Sequence, residues 1–141
     1  MKIAILPNLD KDRAQQVTTD IIKKLFSYKA MPMMYHKYQQ QFFNLPVVFY
    51  SDFQKMMLDC DVVVTIGGDG TIIHAAKHAA AAHKPLLGIN LGRVGFVAEL
   101  EPEELGRLKD LVKGDYQVEK RMMLSVSIRG EQITKQIYAL N

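Results

Sequence analysis

The hydrophobic pattern of this chain is dominated by one β-branched run that ends at a pair of glycines. The run is Val62-Val63-Val64-Thr65-Ile66, and Gly67 and Gly68 follow it. Continuous apolar residues of this length are typical of a strand buried on both faces. Residues 72–82 then contain helix formers and no breaker, so a helix is predicted to begin near Thr71, with Thr71 as its N-cap. The predicted order is strand, glycine-rich loop, helix.

Apolar positions before and after this run predict further units of the same kind. Residues 2–6 predict a first strand, and residues 12–27 predict a helix capped by Asp10 or Asp12. The apolar stripe of that helix is expected to comprise Ala14, Val17, Ile21, Ile22, Leu25 and Phe26. Short strands are expected within 33–35 and 47–50, a short helix capped by Ser51 or Asp52, a strand at 86–89, and a helix from Glu101 to Gly114.

The pattern changes to strict alternation near the end of the chain. Met122, Leu124, Val126 and Ile128 lie on one face of a predicted strand, and Ile133, Ile137 and Leu140 follow a turn at residues 129–132. We therefore expect an antiparallel hairpin there. An isolated two-stranded hairpin is marginally stable, so it must pack on the first domain, on another chain or on a further part of the protein.

These elements predict the fold class and the domains. Strands that alternate with helices indicate an α/β fold, with an open, parallel, Rossmann-like sheet and flanking helices. We predict an α/β domain at residues 1–116, which carries the glycine-rich loop, and the beginning of an antiparallel β domain at residues 117–141.

Composition narrows the class of protein without identifying its chemistry. Hydrophobic residues make up 48% of the 141 residues and charged residues 23%, which is ordinary for a soluble globular domain. The net charge of +3 includes no clustered basic stripe, so no nucleic-acid interface is expected. No apolar stretch is long enough to span a membrane. Cys60 is the single cysteine, which excludes an internal disulfide and favours a reducing, cytoplasmic environment. We interpret Cys60 as a structural residue.

The loop Gly67-Gly68-Asp69-Gly70-Thr71 is the main candidate for chemistry. Glycines beside a helix N-terminus let a phosphate approach unpaired backbone N–H groups. A carboxylate inside that loop would repel phosphate, unless a divalent metal bridges the charges or the carboxylate takes a proton from an attacking hydroxyl. Both arrangements indicate phosphoryl transfer, with Asp69 as the catalytic candidate. The alternative is a tight turn in which Asp69 only caps the helix.

These residues carry a resemblance to a known family. Gly67-Gly68-Asp69-Gly70-Thr71 resembles the signature that NAD kinases share with diacylglycerol and sphingosine kinases. Gly88-Ile89-Asn90-Leu91-Gly92-Arg93-Val94-Gly95-Phe96 resembles a second signature of NAD kinases that the lipid kinases lack. The whole chain is therefore similar to the N-terminal portion of the NAD kinase family, which continues into a second, all-β domain. The resemblance implies that the β domain that begins at residue 117 is truncated here.

The resemblance implies an activity and a set of ligand contacts. Members transfer the terminal phosphoryl of ATP or polyphosphate to the 2′-hydroxyl of the adenosine ribose of NAD, which gives NADP and requires Mg²⁺. Asp69 would be the general base, and no residue is assigned as a protein ligand of a metal. Contacts to the nucleotides are expected from Gly67, Gly68, Asp69, Gly70, Thr71, His74, Asn90 and Asn141, and an Asn at the position of Asn8 also belongs to the pattern.

Alternatives remain at the level of both the protein and single residues. A lipid kinase with the same loop and a nucleotide-binding module without turnover are the rival functions. His74 is either a ligand contact or a solvated helix histidine, and a zinc pair with His78 lacks a third ligand. Arg93 either pairs with a phosphate or lies in solvent. NAD and ATP are the expected partners, and the exposed hairpin edge favours a homo-oligomer.

Overall fold

A five-stranded parallel sheet forms the centre of the molecule. The computed structural model describes residues 1–92, 97–129 and 134–140. The strands are β1 (Lys2–Pro7), β2 (Met31–Tyr35), β3 (Val48–Tyr50), β4 (Val62–Gly67) and β5 (Leu86–Asn90). Their spatial order is β3-β2-β1-β4-β5, and every neighbouring pair is parallel. The predicted open α/β sheet is confirmed.

Helices cover both faces of this sheet. They are α1 (Ala14–Ser27), α2 (Gln39–Phe42), α3 (Phe53–Asp59), α4 (Asp69–Ala81) and α5 (Leu108–Lys113), with 3₁₀ turns at His36–Tyr38 and Pro102–Arg107. One core cluster joins the sheet to α1 and α5, and a second contains residues of α3 and α4. Within the described residues, no helix has the length and apolarity needed to cross a membrane.

Strand β4 occupies the position that its sequence predicts. All six residues are buried, and the strand pairs with β1 on one side and with β5 on the other. The chain first builds β1, β2 and β3 outward and then returns to place β4 beside β1. The direction of strand order therefore reverses between β1 and β4. In open α/β sheets, ligands bind in the crevice at the carboxyl ends of the strands at such a point.

The first helix differs from its prediction in two respects. Its N-cap is Arg13, at φ 63° and with no side-chain cap bond, so neither Asp10 nor Asp12 caps it. The left-handed turn at Arg13 starts the helix through backbone geometry alone. Phe26 is 58% exposed and does not extend the buried stripe, whereas Ile22 is fully buried. The cap predicted for α3 is confirmed, since Asp52 accepts a hydrogen bond from the Lys55 N–H at 3.0 Å.

The later elements agree with the prediction in kind. The helix predicted from Glu101 begins as the 3₁₀ turn with a reciprocal capping box between Glu101 and Glu104, and α5 ends at Gly114 with φ 78°. The hairpin consists of β6 (Met123–Arg129) and β7 (Thr134–Leu140), paired antiparallel. Met122 precedes β6, and residues 130–133 lie outside the described residues. The division into domains at residue 116 stays a prediction.

The apolar face of the hairpin is open to solvent. Leu124 is 52% exposed, and Val126 and Ile137, which pair across the two strands, are 49% and 42% exposed. Met123 and Leu140 instead line a cavity of about 420 Å³ that also reaches Ala76 of α4. Within this chain, the ends of the two strands approach the α/β unit and the middle of the apolar face is left uncovered.

Candidate functional site

The turn from β4 into α4 begins the helix earlier than predicted. Gly68 is the N-cap in an extended conformation, and Asp69 is the first residue of α4. The Thr71 N–H donates to the Gly68 carbonyl at 2.9 Å, so Thr71 lies inside the first turn. The prediction that Thr71 caps the helix is wrong, because a glycine already occupies the cap and the Thr71 hydroxyl accepts a hydrogen bond from Asn8 Nδ2 at 3.2 Å.

The three glycines of the loop are present for different structural reasons. A methyl group placed on Gly67 would lie 2.5 Å from Thr71 Oγ1 and 2.7 Å from Thr71 Cβ. Apart from its chain neighbours and the backbone of its own helix, a methyl group on Gly68 or Gly70 would meet no atom of the described residues within 4 Å. Gly67 is therefore required by the packing of Thr71. Gly68 and Gly70 instead leave the backbone at the start of α4 open, which is the geometry that a bound phosphate needs.

Asn8 joins the end of β1 to this loop. Its N–H donates to the Ile66 carbonyl at 2.9 Å, its Nδ2 donates to Thr71 Oγ1, and its Oδ1 accepts from the Asp10 N–H at 3.2 Å. These bonds give Asn8 a structural role at the point where the strand order reverses. They connect the segment that follows β1 to the first turn of α4.

The Asp69 carboxylate lies toward the segment that follows β5. Its Oδ1 accepts from the Val97 N–H at 3.4 Å, in the segment that follows β5. A carboxylate in the first helical turn is also favoured by the positive end of the helix dipole. Thr71 thus contacts the chain after β1, whereas Asp69 contacts the chain after β5. The loop faces two different sides of the sheet edge.

Asn90, the last residue of β5, is held inside the protein. It is 1% exposed and lies opposite Gly67 in the sheet register. Its Nδ2 donates to Glu101 Oε1 at 3.0 Å, and its Oδ1 accepts from the Gly92 N–H at 3.0 Å. The side chain therefore holds the start of the second glycine-rich stretch by a hydrogen bond. Its predicted contact to a ligand stays a prediction.

His74 and His78 lie one turn apart on the face of α4 that carries Thr71. Their ring centroids are 5.2 Å apart. Desolvation, followed by the positive charges of Lys77 and Lys37, lowers the pKa of His74 below that of a free imidazole. Desolvation and the charge of Lys77 lower the pKa of His78 in the same way. Both rings are therefore held in the neutral form at pH 7. The described residues include no group of three His, Cys, Asp or Glu side chains that could hold a metal ion.

A cavity of about 290 Å³ opens beside these histidines, at the carboxyl ends of β1, β2 and β4. The side chains that border it include Tyr35, Lys37, Tyr38, Phe53, His74 and His78. Tyr38 Oη donates to the Pro7 carbonyl at 2.9 Å, and Lys37 Nζ lies 4.7 Å from the centroid of the Tyr38 ring. Nothing in the sequence pattern of residues 31–50 indicates that they meet the loop at residue 67, and the sequence predicts no function for them.

Part of the predicted site lies outside the described residues. Arg93, Gly95 and Phe96 of the second glycine-rich stretch and Asn141 belong to that part. The structure brings together Gly67, Gly68, Asp69, Gly70, Thr71 and His74 at the first loop. The roles predicted for these residues toward ligands stay predictions.

The strand order and the position of the loop define the class of protein. This is a doubly wound α/β domain with a glycine-rich crevice where the strand order reverses. Residues 3–116 match the family model of the ATP-NAD kinase N-terminal domain. The chain belongs to the NAD kinase family. The family match decides against the lipid-kinase alternative.

Known proteins agree with this assignment. The NAD kinase of Thermoanaerobacter sp. (strain X514) is 31% identical over 132 residues, which are 90% of this chain and 44% of that protein. The NAD kinase of Nocardia farcinica is 48% identical over 84 residues, which are 58% of this chain and 26% of that protein. The crystal structure of yeast NADH kinase complexed with NADH has the same fold, with a TM-score of 0.75 at 19% identity, covering 99% of this chain and 46% of that one. The chain thus spans less than half the length of these relatives.

Proposed function

We propose that the whole protein is an NAD kinase that transfers the terminal phosphoryl of ATP to the 2′-hydroxyl of the adenosine ribose of NAD. The observation that carries the proposal is the placement of a carboxylate, Asp69, in the first turn of a helix whose N-cap backbone is open. The family match to the ATP-NAD kinase N-terminal domain supports the same reaction. Polyphosphate is the alternative donor.

Asp69 is proposed as the general base. Its carboxylate takes the proton of the 2′-hydroxyl, the hydroxyl oxygen forms a bond to the terminal phosphorus, and the bond from that phosphorus to the bridging oxygen of ADP breaks. ADP leaves with the electron pair of the broken bond. Gly68 and Gly70 let the phosphates approach the N–H groups of α4, and the bond from Asn8 holds Thr71 beneath them.

The residues at the loop fit a magnesium ion held mainly by the substrate. Magnesium sites in phosphoryl-transfer enzymes commonly use one or two carboxylates together with phosphate oxygens and water. Asp69, the proposed base, is the one carboxylate in the sequence of the loop, so phosphate oxygens and water would supply most of the ligands of the ion near it. When bound, the ion would neutralise the charge that develops on the phosphate oxygens.

NADP formation tests this proposal. We would measure it with NAD, ATP and Mg²⁺ for the 141-residue chain and for a chimaera continued after residue 141 with the remainder of the Thermoanaerobacter NAD kinase. Replacing the base should lower kcat by about 10²–10⁴-fold, so Asp69→Asn should abolish most product. Asp115→Asn makes the same charge change at an exposed residue and should leave the rate unchanged.

The outcomes separate the remaining alternatives. A folded chimaera that makes no NADP would refute the kinase proposal. A chain that binds ATP and NAD without forming product, alone or in the chimaera, would favour a binding module without turnover. The homo-oligomeric state predicted from the hairpin stays a prediction, and a monomeric mass by light scattering at high concentration would contradict it.

A further inference from the structure

We propose that Lys37 binds the phosphates of the phosphoryl donor, which places the donor on the β1–β2 side of the crevice and NAD on the β5 side. This inference rests on the proposed kinase function and extends it to a residue and a direction. The observation behind it is the meeting of Lys37 and Thr71 at one cavity, although they lie on segments far apart in the chain.

The loop itself lacks the cation that a polyphosphate requires. Gly67-Gly68-Asp69-Gly70-Thr71 contains no Lys or Arg, and its one charge is negative. Other nucleotide-binding loops of this kind supply a lysine from within the loop or from a neighbouring strand. A basic side chain that reaches the phosphates in this fold must therefore come from another element at the same sheet edge.

Lys37 occupies a position from which it can do this. It lies in the 3₁₀ turn directly after β2, and it borders the cavity together with Thr71 and His74. Among the described residues, no carboxylate lies within ion-pair distance of its ammonium group. An unpaired cation that shares a cavity with Thr71 and His74 of α4 is suited to an anionic ligand.

The position of Lys37 is fixed by its neighbour. Tyr38 Oη bonds the Pro7 carbonyl at the end of β1, and the Tyr38 ring lies under the Lys37 ammonium at 4.7 Å from its centroid. A cation over an aromatic face is attracted to it, which restricts the flexible side chain. Lys37 is thereby linked to the same strand end that positions Asn8 and Thr71.

The two sides of the loop assign the two substrates. Thr71 and the cavity face β1 and β2, whereas the Asp69 carboxylate faces Val97 after β5. A general base must contact the acceptor hydroxyl, so the acceptor belongs on the β5 side. The cavity of about 290 Å³ is at the lower limit of ligand pockets, which suits the nucleoside part of a donor better than a whole dinucleotide.

Titration calorimetry with ATP, inorganic tripolyphosphate and NAD tests the proposal. Lys37→Met should weaken ATP and tripolyphosphate about fivefold to thirtyfold and leave NAD unchanged, and Lys37→Arg should retain most of the affinity. Lys23→Met is the matched control, because Lys23 is exposed on α1, which packs on the other face of the sheet. Circular dichroism verifies that each variant is folded.

Several results would overturn the inference. They are equal ATP and tripolyphosphate affinities for Lys37→Met and Lys23→Met, a loss confined to NAD, or no binding of either polyphosphate by the unmodified chain. The kinase proposal is tested separately. Donor binding that depends on Lys37 without any NADP formation by the chimaera supports the role of Lys37 and refutes the kinase. Normal NADP formation with an unchanged KM for ATP in a Lys37→Met chimaera supports the kinase and refutes the role of Lys37.

Discussion

Adjacent glycines in the phosphate loop should respond to the same substitution in opposite ways. Gly67→Ala places a methyl group 2.5–2.9 Å from three side-chain atoms of Thr71. Gly68→Ala places the methyl group where, beyond its chain neighbours, no atom of the described part of the chain lies within 4 Å, and the backbone there is extended, at φ −95° and ψ −178°. The first variant should lose stability, whereas the second should fold normally and lose affinity for phosphate.

The magnitude of the Gly67 effect follows from the geometry. Optimal carbon contacts are about 3.5–4.0 Å apart, so the methyl group overlaps Thr71, and overpacking of this kind costs about 1–3 kcal/mol. Moving Thr71 also weakens its 3.2 Å hydrogen bond from Asn8, which adds about 0.5–1.5 kcal/mol. The smaller entropy of an unfolded chain with Ala offsets about 0.4–1 kcal/mol. A net loss of about 0.5–4 kcal/mol remains.

Urea unfolding followed by circular dichroism measures this difference. With a slope of about 2 kcal/mol per molar, the midpoint of Gly67→Ala should fall by roughly 0.3–2 M. The midpoint of Gly68→Ala should stay within about 0.3 M of the parent or rise. Equal midpoints for the two variants would refute the steric reasoning. An unchanged affinity of Gly68→Ala for tripolyphosphate would refute the assignment of the open backbone to phosphate.

Two further variants test the core and the histidines. The Thr18 hydroxyl is fully buried in α1 and has no hydrogen-bond partner within the described ranges. Thr18→Val should therefore raise the free energy of unfolding by about 1 kcal/mol in urea titrations, and a loss of stability would contradict its unsatisfied state. The pKa values of His74 and His78 are lowered in the folded chain. The unfolded state therefore binds more protons, and stability should fall as the pH drops through about 6.5 and be regained as the pH rises. Replacing both histidines by Gln should flatten that part of the profile of stability against pH, and an unaltered profile would exclude them as its source.

The sequence was sufficient to predict those helices and strands whose local residue preferences agree with their packing in the fold. The run from Val62 to Ile66 predicted a fully buried strand, because a parallel sheet covered on both faces needs apolar residues without alternation. The start of α4 was placed too late, because a Thr is a good N-cap in general, whereas here Gly68 takes the cap and Thr71 bonds Asn8. The preference of Thr for the N-cap position was overridden by its hydrogen bond from Asn8, which follows β1.

The cavity beside α4 could not be predicted for a different reason. Lys37 meets His74 only because β2 lies beside β1, and β1 lies beside β4. That arrangement depends on strand order, which hydrophobic periodicity does not determine. Residues 36–44 also carry no regular pattern, so neither their structure nor their position at the crevice was apparent. The motif therefore locates the loop at residues 67–71 but not the side chains that share a cavity with Thr71 and His74.

The bond between Asn8 and Thr71 has a consequence for how the protein is made. It joins residues 63 positions apart, and a ribosome that adds about 5–20 residues per second needs roughly 3–13 s to synthesise the chain between them. During that interval β1 is already outside the active centre of the ribosome, while β4, its partner on one side, does not yet exist. One hydrogen-bonding edge of a buried strand is thus without its partner throughout early synthesis. Slower translation across residues 9–70 would lengthen the period in which the nascent chain is open to wrong strand pairing.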